Sequence, residues 1–217
     1  MTTRRRILAG GTACALALSA GCLDFALGRN ALEFDATRVA PSEAALAETG
    51  YEETVAERQT HEETVEAGLE RDVRASYWLS VSEKEVELLG ETREAATVAA
   101  VSMPALEILG SSYNPLAELD SEELLAELQS EFDGGYGDLG DLEYAATIAL
   151  PVLGADRSVD RFRGTTTFDG EDVDVVLLLT AFDHGDDFVV LLGGYPEPLA
   201  DEGVNVELLM ESVERLP

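Results

Sequence analysis

An alternation of period two constrains this chain most. Leu69, Val73, Ala75, Tyr77, Leu79 and Val81 sit at odd positions, while Glu70, Asp72, Arg74, Ser76, Ser80 and Ser82 sit at even ones. Successive side chains of a strand point to opposite faces, so this stretch predicts a strand with one face inward and one toward water. Residues 51–86 then read as a long hairpin turning at Ala67-Gly68. Trp78 interrupts the polar face, which predicts a place under a helix or at a sheet edge. A further strand, "AATVAAVSMP", is stopped by Pro104. Three more follow closely, roughly 157–168, 173–182 and 188–195. The turns between them are "DGED" and "DHGDD", with Gly170 and Gly185 supplying the unusual φ. Strands joined this tightly are antiparallel.

Other segments carry helical signals. In "PSEAALAETG", Ser42 caps, Leu46 gives the apolar contact and Gly50 ends the helix. Asp120 followed three residues later by Glu123 is a capping-box arrangement, and Leu124, Leu125, Leu128 and Phe132 form the stripe behind it. Val206, Leu209, Met210, Val213 and Leu216 recur at helical spacing near the end of the chain. Residues 33–39 read as a first strand, and "YPEP" stops the last. The expected fold is a single α+β domain: a twisted, mainly antiparallel sheet of six to eight strands, with helices at the start, middle and end packed on one face.

The first thirty residues give an address. Arg4, Arg5 and Arg6 precede an uncharged stretch, residues 7–23, diluted by Gly10, Gly11 and Gly21. A basic head, a short apolar run and a small-residue exit describe a secretory signal. The alternative is a retained membrane helix, and 17 uncharged residues lie at the lower edge of what spans a bilayer. Thr3-Arg4-Arg5-Arg6-Ile7-Leu8 resembles the twin-arginine export signal, which makes Arg4 and Arg5 the export residues. Ser19-Ala20-Gly21-Cys22 resembles a lipobox, whose cysteine is lipidated and becomes the first mature residue; Ser19 stands where an aliphatic residue is commoner. The expected organisation is a signal at 1–21, a lipidated Cys22 with a tether to residue 32, and an extracytoplasmic domain at 33–217. The other cysteine, Cys14, falls in the signal, so the mature chain forms no internal disulfide and folds on its core alone.

The charge says where such a chain is soluble. The net charge is −30, from 14 basic and 44 acidic residues, with a single lysine, Lys84. Losing residues 1–21 leaves eleven basic residues against 44 acids, a net −33. Long apolar runs such as "VDVVLLLTAF" exclude disorder of the whole chain. Dispersed acids repel at ordinary salt, but in molar salt the screening length falls to about 3 Å and that repulsion largely vanishes. A salt-adapted surface is the reading that fits. The same surface repels a phosphate backbone, which excludes nucleic acid as a partner.

Catalytic signals are weak. His61 lies among Glu57, Glu62 and Glu63, and His184 lies beside Asp183, Asp186 and Asp187. Either set could hold a divalent cation, but a solvated strand and a turn rich in aspartate explain them as well. "DGGYGDLGDLE" lacks the alternation of a calcium loop. No G-x-S-x-G elbow or phosphate-cradling glycine loop occurs. No catalytic residue, metal ligand or cofactor is expected.

The layout resembles a family of predicted lipoproteins of unassigned function from halophilic archaea. The stretches that carry the likeness are "SAGC", "LAETGYEE", "REAATVAAVSMPALEILG", "YNPLAELDSEELL", "FRGTTTF" and "DHGDDFVVLLGGYP". Membership implies export and lipid anchoring, and brings no catalytic residue. More loosely, the closing meander and helix resemble the α/β/α sandwich of photosystem and Ran-binding accessory proteins, a likeness of topology without function. The expectation is a non-enzymatic domain at the outer face of the cell membrane. It would be held by lipid on Cys22 and bind a partner protein or small apolar ligand. The alternative is an unrecognised extracytoplasmic hydrolase.

Overall fold

The computed structural model describes residues 32–66, 70–105, 107–108, 111–112, 115–131, 139–168 and 170–217. In chain order the elements are β1 (Leu32–Asp35), β2 (Val39–Pro41), α1 (Glu43–Thr49), β3 (Glu52–Glu66), β4 (Glu70–Leu88), β5 (Glu91–Pro104), the short β6 (Glu107–Ile108) and β7 (Ser111–Ser112), a 3₁₀ turn (Pro115–Glu118), α2 (Ser121–Glu131), β8 (Gly140–Val152), β9 (Ala155–Phe168), β10 (Glu171–His184), β11 (Asp187–Pro196), α3 (Ala200–Glu211) and β12 (Val213–Arg215). An eight-stranded sheet runs in the order β1-β4-β5-β11-β10-β9-β8, with β3 also pairing with β4. This is the expected α+β fold, with its mainly antiparallel sheet.

The described residues form two compact units: 32–34 with His61–Arg74, and Asp35–Thr60 with Ala75–Pro217. In the smaller, Arg74 pairs with Glu62 at 2.6 Å and with Glu33 at 3.4 Å, and Thr64 donates to Asp72 at 2.9 Å. The larger holds the core and all three helices.

Within the larger unit the sheet is covered on both faces, which corrects the expectation that the helices share one. The register aligns Val98, Gly193 and Leu178, and next to them Ala100, Leu191 and Thr180. Over this face lie α1 and α3, which bring Ala45, Val206, Leu209 and Met210. On the other face Leu79, Val101, Val190, Leu179 and Phe162 receive Leu124, Leu125 and Leu128 of α2. Strands β10 and β11 therefore read as continuous apolar runs rather than alternating ones.

The capping signals act as read. Ser42 Oγ accepts from the Ala45 amide, and Gly50 closes α1 at φ 75°. The Asp120 carboxylate accepts from the amides of Glu122 and Glu123, and the Glu123 carboxylate accepts from the Asp120 amide at 3.2 Å. Phe132 and the turn at Ala67-Gly68 lie outside the described residues.

Four further expectations are corrected. Residues 33–39 are not one strand. The chain leaves β1 after Asp35, the Ala36 amide donates to Ser76 O, and β2 begins at Val39. The second correction is that Ser76, Ser80 and Ser82 are buried rather than wet: the crossing segment passes Ser76 and Ser80, and Ser82 pairs with Val98 on the face that α1 and α3 cover. Small hydroxyls on this face let Arg38 pass close enough to donate to Ser80 Oγ and to lie 5.8 Å from the Trp78 ring. Arg38 thus lies over Trp78. Third, a strand precedes the three read near the C-terminus: β8, which pairs with β9. Pro151 obscured it, yet β8 ends the sheet, where proline is tolerated. Fourth, the last helix stops at Glu211. Val213 belongs to β12, which pairs with β2 from Val213↔Pro41 to Arg215↔Val39.

Candidate functional site

The most elaborate polar arrangement centres on Lys84, the single lysine. Strand β4 carries it to the foot of α3, where its ammonium lies 2.7 Å from Glu202. Tyr51 Oη donates to the other Glu202 oxygen at 3.2 Å, as does Asn205 Nδ2 at 3.0 Å. The ammonium also sits 5.6 Å from the Tyr51 ring. Burial pushes the Glu202 carboxyl up. Hydrogen bonds from Asn205, Lys84 and Tyr51, with the lysine's charge, outweigh that and hold it below its ordinary value. The group therefore stays ionised.

Beside this pair opens a cleft of about 470 Å³, lined by Gly50, Glu52, Thr54, Glu83, Lys84, Glu85 and Glu94. Glu83 is engaged by Thr54 Oγ1 at 2.6 Å, and Glu85 and Glu94 stand directly across from each other on β4 and β5. The lining is polar and holds no aromatic or aliphatic wall for an apolar ligand.

A second arrangement explains part of "DHGDDFVVLLGGYP". Asp187 is buried at the start of β11 and accepts from the Thr37 amide at 3.2 Å and from Arg215 at 3.0 Å. It ties the segment before β2 and the β12 ribbon to the sheet. His184, at the end of β10, is half-buried and pairs in register with Asp187 across the turn. His61 is exposed on β3, in the smaller unit. Among the described residues no three histidine, cysteine, aspartate or glutamate side chains come together to hold a metal ion. Arg4, Arg5 and Cys22 lie outside the described residues, as do residues 133–138 of the glycine-aspartate loop.

Sequence reasoning noticed Lys84 only as a rarity. Its partner Glu202 is 118 residues away, and no local pattern announces the pair. Asp187 was read as one of several turn aspartates. Its burial follows from the β2–β12 ribbon, which the sequence did not reveal.

Fold and site define an α+β domain with a helix layer on each face of its sheet and an ion pair at the foot of its last helix. The chain belongs to the DUF6517 family, a domain of unknown function, whose model matches residues 38–214. No curated protein matches the chain. Among solved structures it is similar to LpqN, described as involved in cell envelope biogenesis of Mycobacterium tuberculosis. The identity is 10%, the TM-score is 0.36, and the alignment covers 79% of this chain and 95% of that one.

Proposed function

We propose that this is an exported, salt-adapted, non-catalytic domain of the lipoprotein kind seen in halophilic archaea, held at the outer face of the cell membrane by lipid on Cys22, where it binds a partner protein. The observation that carries the reading is Cys22 itself, placed directly after Ser19-Ala20-Gly21 behind an arginine-headed apolar run. An exposed thiol outside the cell invites oxidation, and lipid on sulfur removes that liability. A domain this acidic has no electrostatic attraction to an anionic membrane, so hydrocarbon must do the holding; a two-chain lipid anchors stably where one short chain does not. No described helix is long and apolar enough to cross a membrane. The polar lining of the cleft favours a protein partner over a small apolar ligand.

Replacing Cys22 by serine tests the reading. The expected result is a shift of the protein from the membrane pellet to the medium, or accumulation of the uncut chain. A serine variant that is correctly cleaved yet stays with the membrane would contradict it and favour another attachment.

A further inference from the structure

Strand β3, which pairs with β4, and strand β8, which ends the sheet, differ in charge. Strand β3 carries the exposed Glu52, Glu53, Glu57 and Glu62, the charge that protects an exposed edge from pairing. Strand β8 carries Asp141 and Glu143 near its start and then the uncharged run Tyr144, Ala145, Ala146, Thr147, Ile148, Ala149, Leu150, Pro151 and Val152. In a chain of net charge −30 this is a charge-free outer edge.

The register shows which groups that edge offers. Val152 and Ala155 flank the two-residue turn Leu153-Gly154, whose φ angles are 48° and 79°. A turn of this kind is closed by a hydrogen-bonded pair. Pro151 and Asp156 then form the next, non-hydrogen-bonded pair, and the Pro151 nitrogen points away from β9. By the same alternation Ala149 and Thr147 turn their N–H and C=O groups outward, up to the irregularity between Tyr144 and Ala146. Thr147 and Ala149 are exposed.

We propose that this edge pairs antiparallel with the same edge of a second copy of the chain, about a two-fold axis at Ile148. Thr147 of each copy then faces Ala149 of the other, and each such pair exchanges two backbone hydrogen bonds. Ala146 meets Leu150 and Ala145 meets Pro151, so no acid faces an acid. A second copy is the occupant because the pattern is self-complementary. Two chains this acidic can approach closely only where both are uncharged, in salt that screens the rest. The inference stands apart from lipid anchoring and needs only the folded domain.

The test is sedimentation equilibrium of the chain in molar KCl, with amide hydrogen exchange read at high and low protein concentration. The expected result is a monomer–dimer equilibrium in which the Thr147 and Ala149 amides are protected at high concentration and exposed on dilution. Ala149→Pro removes one outward donor from each copy and should weaken association roughly tenfold or more. Monomer at every concentration would overturn the proposal. So would a dimer in which the Thr147 and Ala149 amides exchange freely; because that readout uses the unaltered chain, misfolding of the proline variant cannot decide the question.

Discussion

Glu202 shows how a carboxylate is kept ionised against its own burial. Lys84, Asn205 and Tyr51 each donate to it. Its folded pKa lies below the ordinary 4.5, so the pair's stabilisation is present above the unfolded value and is lost as the pH falls through the lower folded one. Glu202→Gln should therefore cost about 1–2 kcal/mol at neutral pH, discounted from the cost of breaking a fully buried pair because water reaches Lys84. It should also flatten the fall of thermal stability below pH 4.5 relative to the wild type. Thermal melts across that range check both; identical acid profiles would mean that Glu202 is not the titrating group. None of this was legible locally. A lysine on β4 and a glutamate on α3 meet only because one strand, β5, separates β4 from β11, and the helix that follows β11 packs back over β11 and β5.

At the scale of elements, local chemistry was read well and long-range coverage badly. The caps of α1 and α2 lie within three residues of their partners, so Ser42, Asp120 and Glu123 announced them. Ser80 is met by Arg38, 42 residues upstream, and Ser82 lies on the face that α1 and α3 cover, so alternation alone mistook a covered face for a wet one. Strand β8 was hidden by Pro151, whose missing donor is harmless only at an edge. The turns leave room for improvement. Leu89, 55% exposed, holds φ 55° ahead of Gly90 at 83°, in a two-residue turn closed by Leu88 and Glu91. Left-handed backbone costs an ordinary residue about 1–2 kcal/mol, and Asn-Gly is the favoured pair in such turns. Leu89→Asn should raise stability by roughly 0.5–1 kcal/mol, read as a shift in the urea midpoint at unchanged slope. A lowered midpoint would show that the Leu89 side chain contributes more than its backbone costs.

For the whole molecule, charge sets the conditions of folding. The chain carries a net −30, and its core must outweigh repulsion such as that between Glu85 and Glu94 directly across the β4–β5 ladder. Circular dichroism should show a cooperative fold in molar KCl and loss of structure near 0.1 M, with millimolar divalent cations restoring part of it by diffuse binding. Equal thermal stability at both salt levels would refute this dependence.

Anchoring, too, belongs to the whole molecule, since one residue would place the entire domain. Intact-mass analysis of the protein taken from its native membrane addresses it most directly. The predicted result is a chain that begins at Cys22 and carries a lipid adduct. A chain beginning there with an unmodified cysteine, or one retaining residues 1–21, would contradict the lipid anchor.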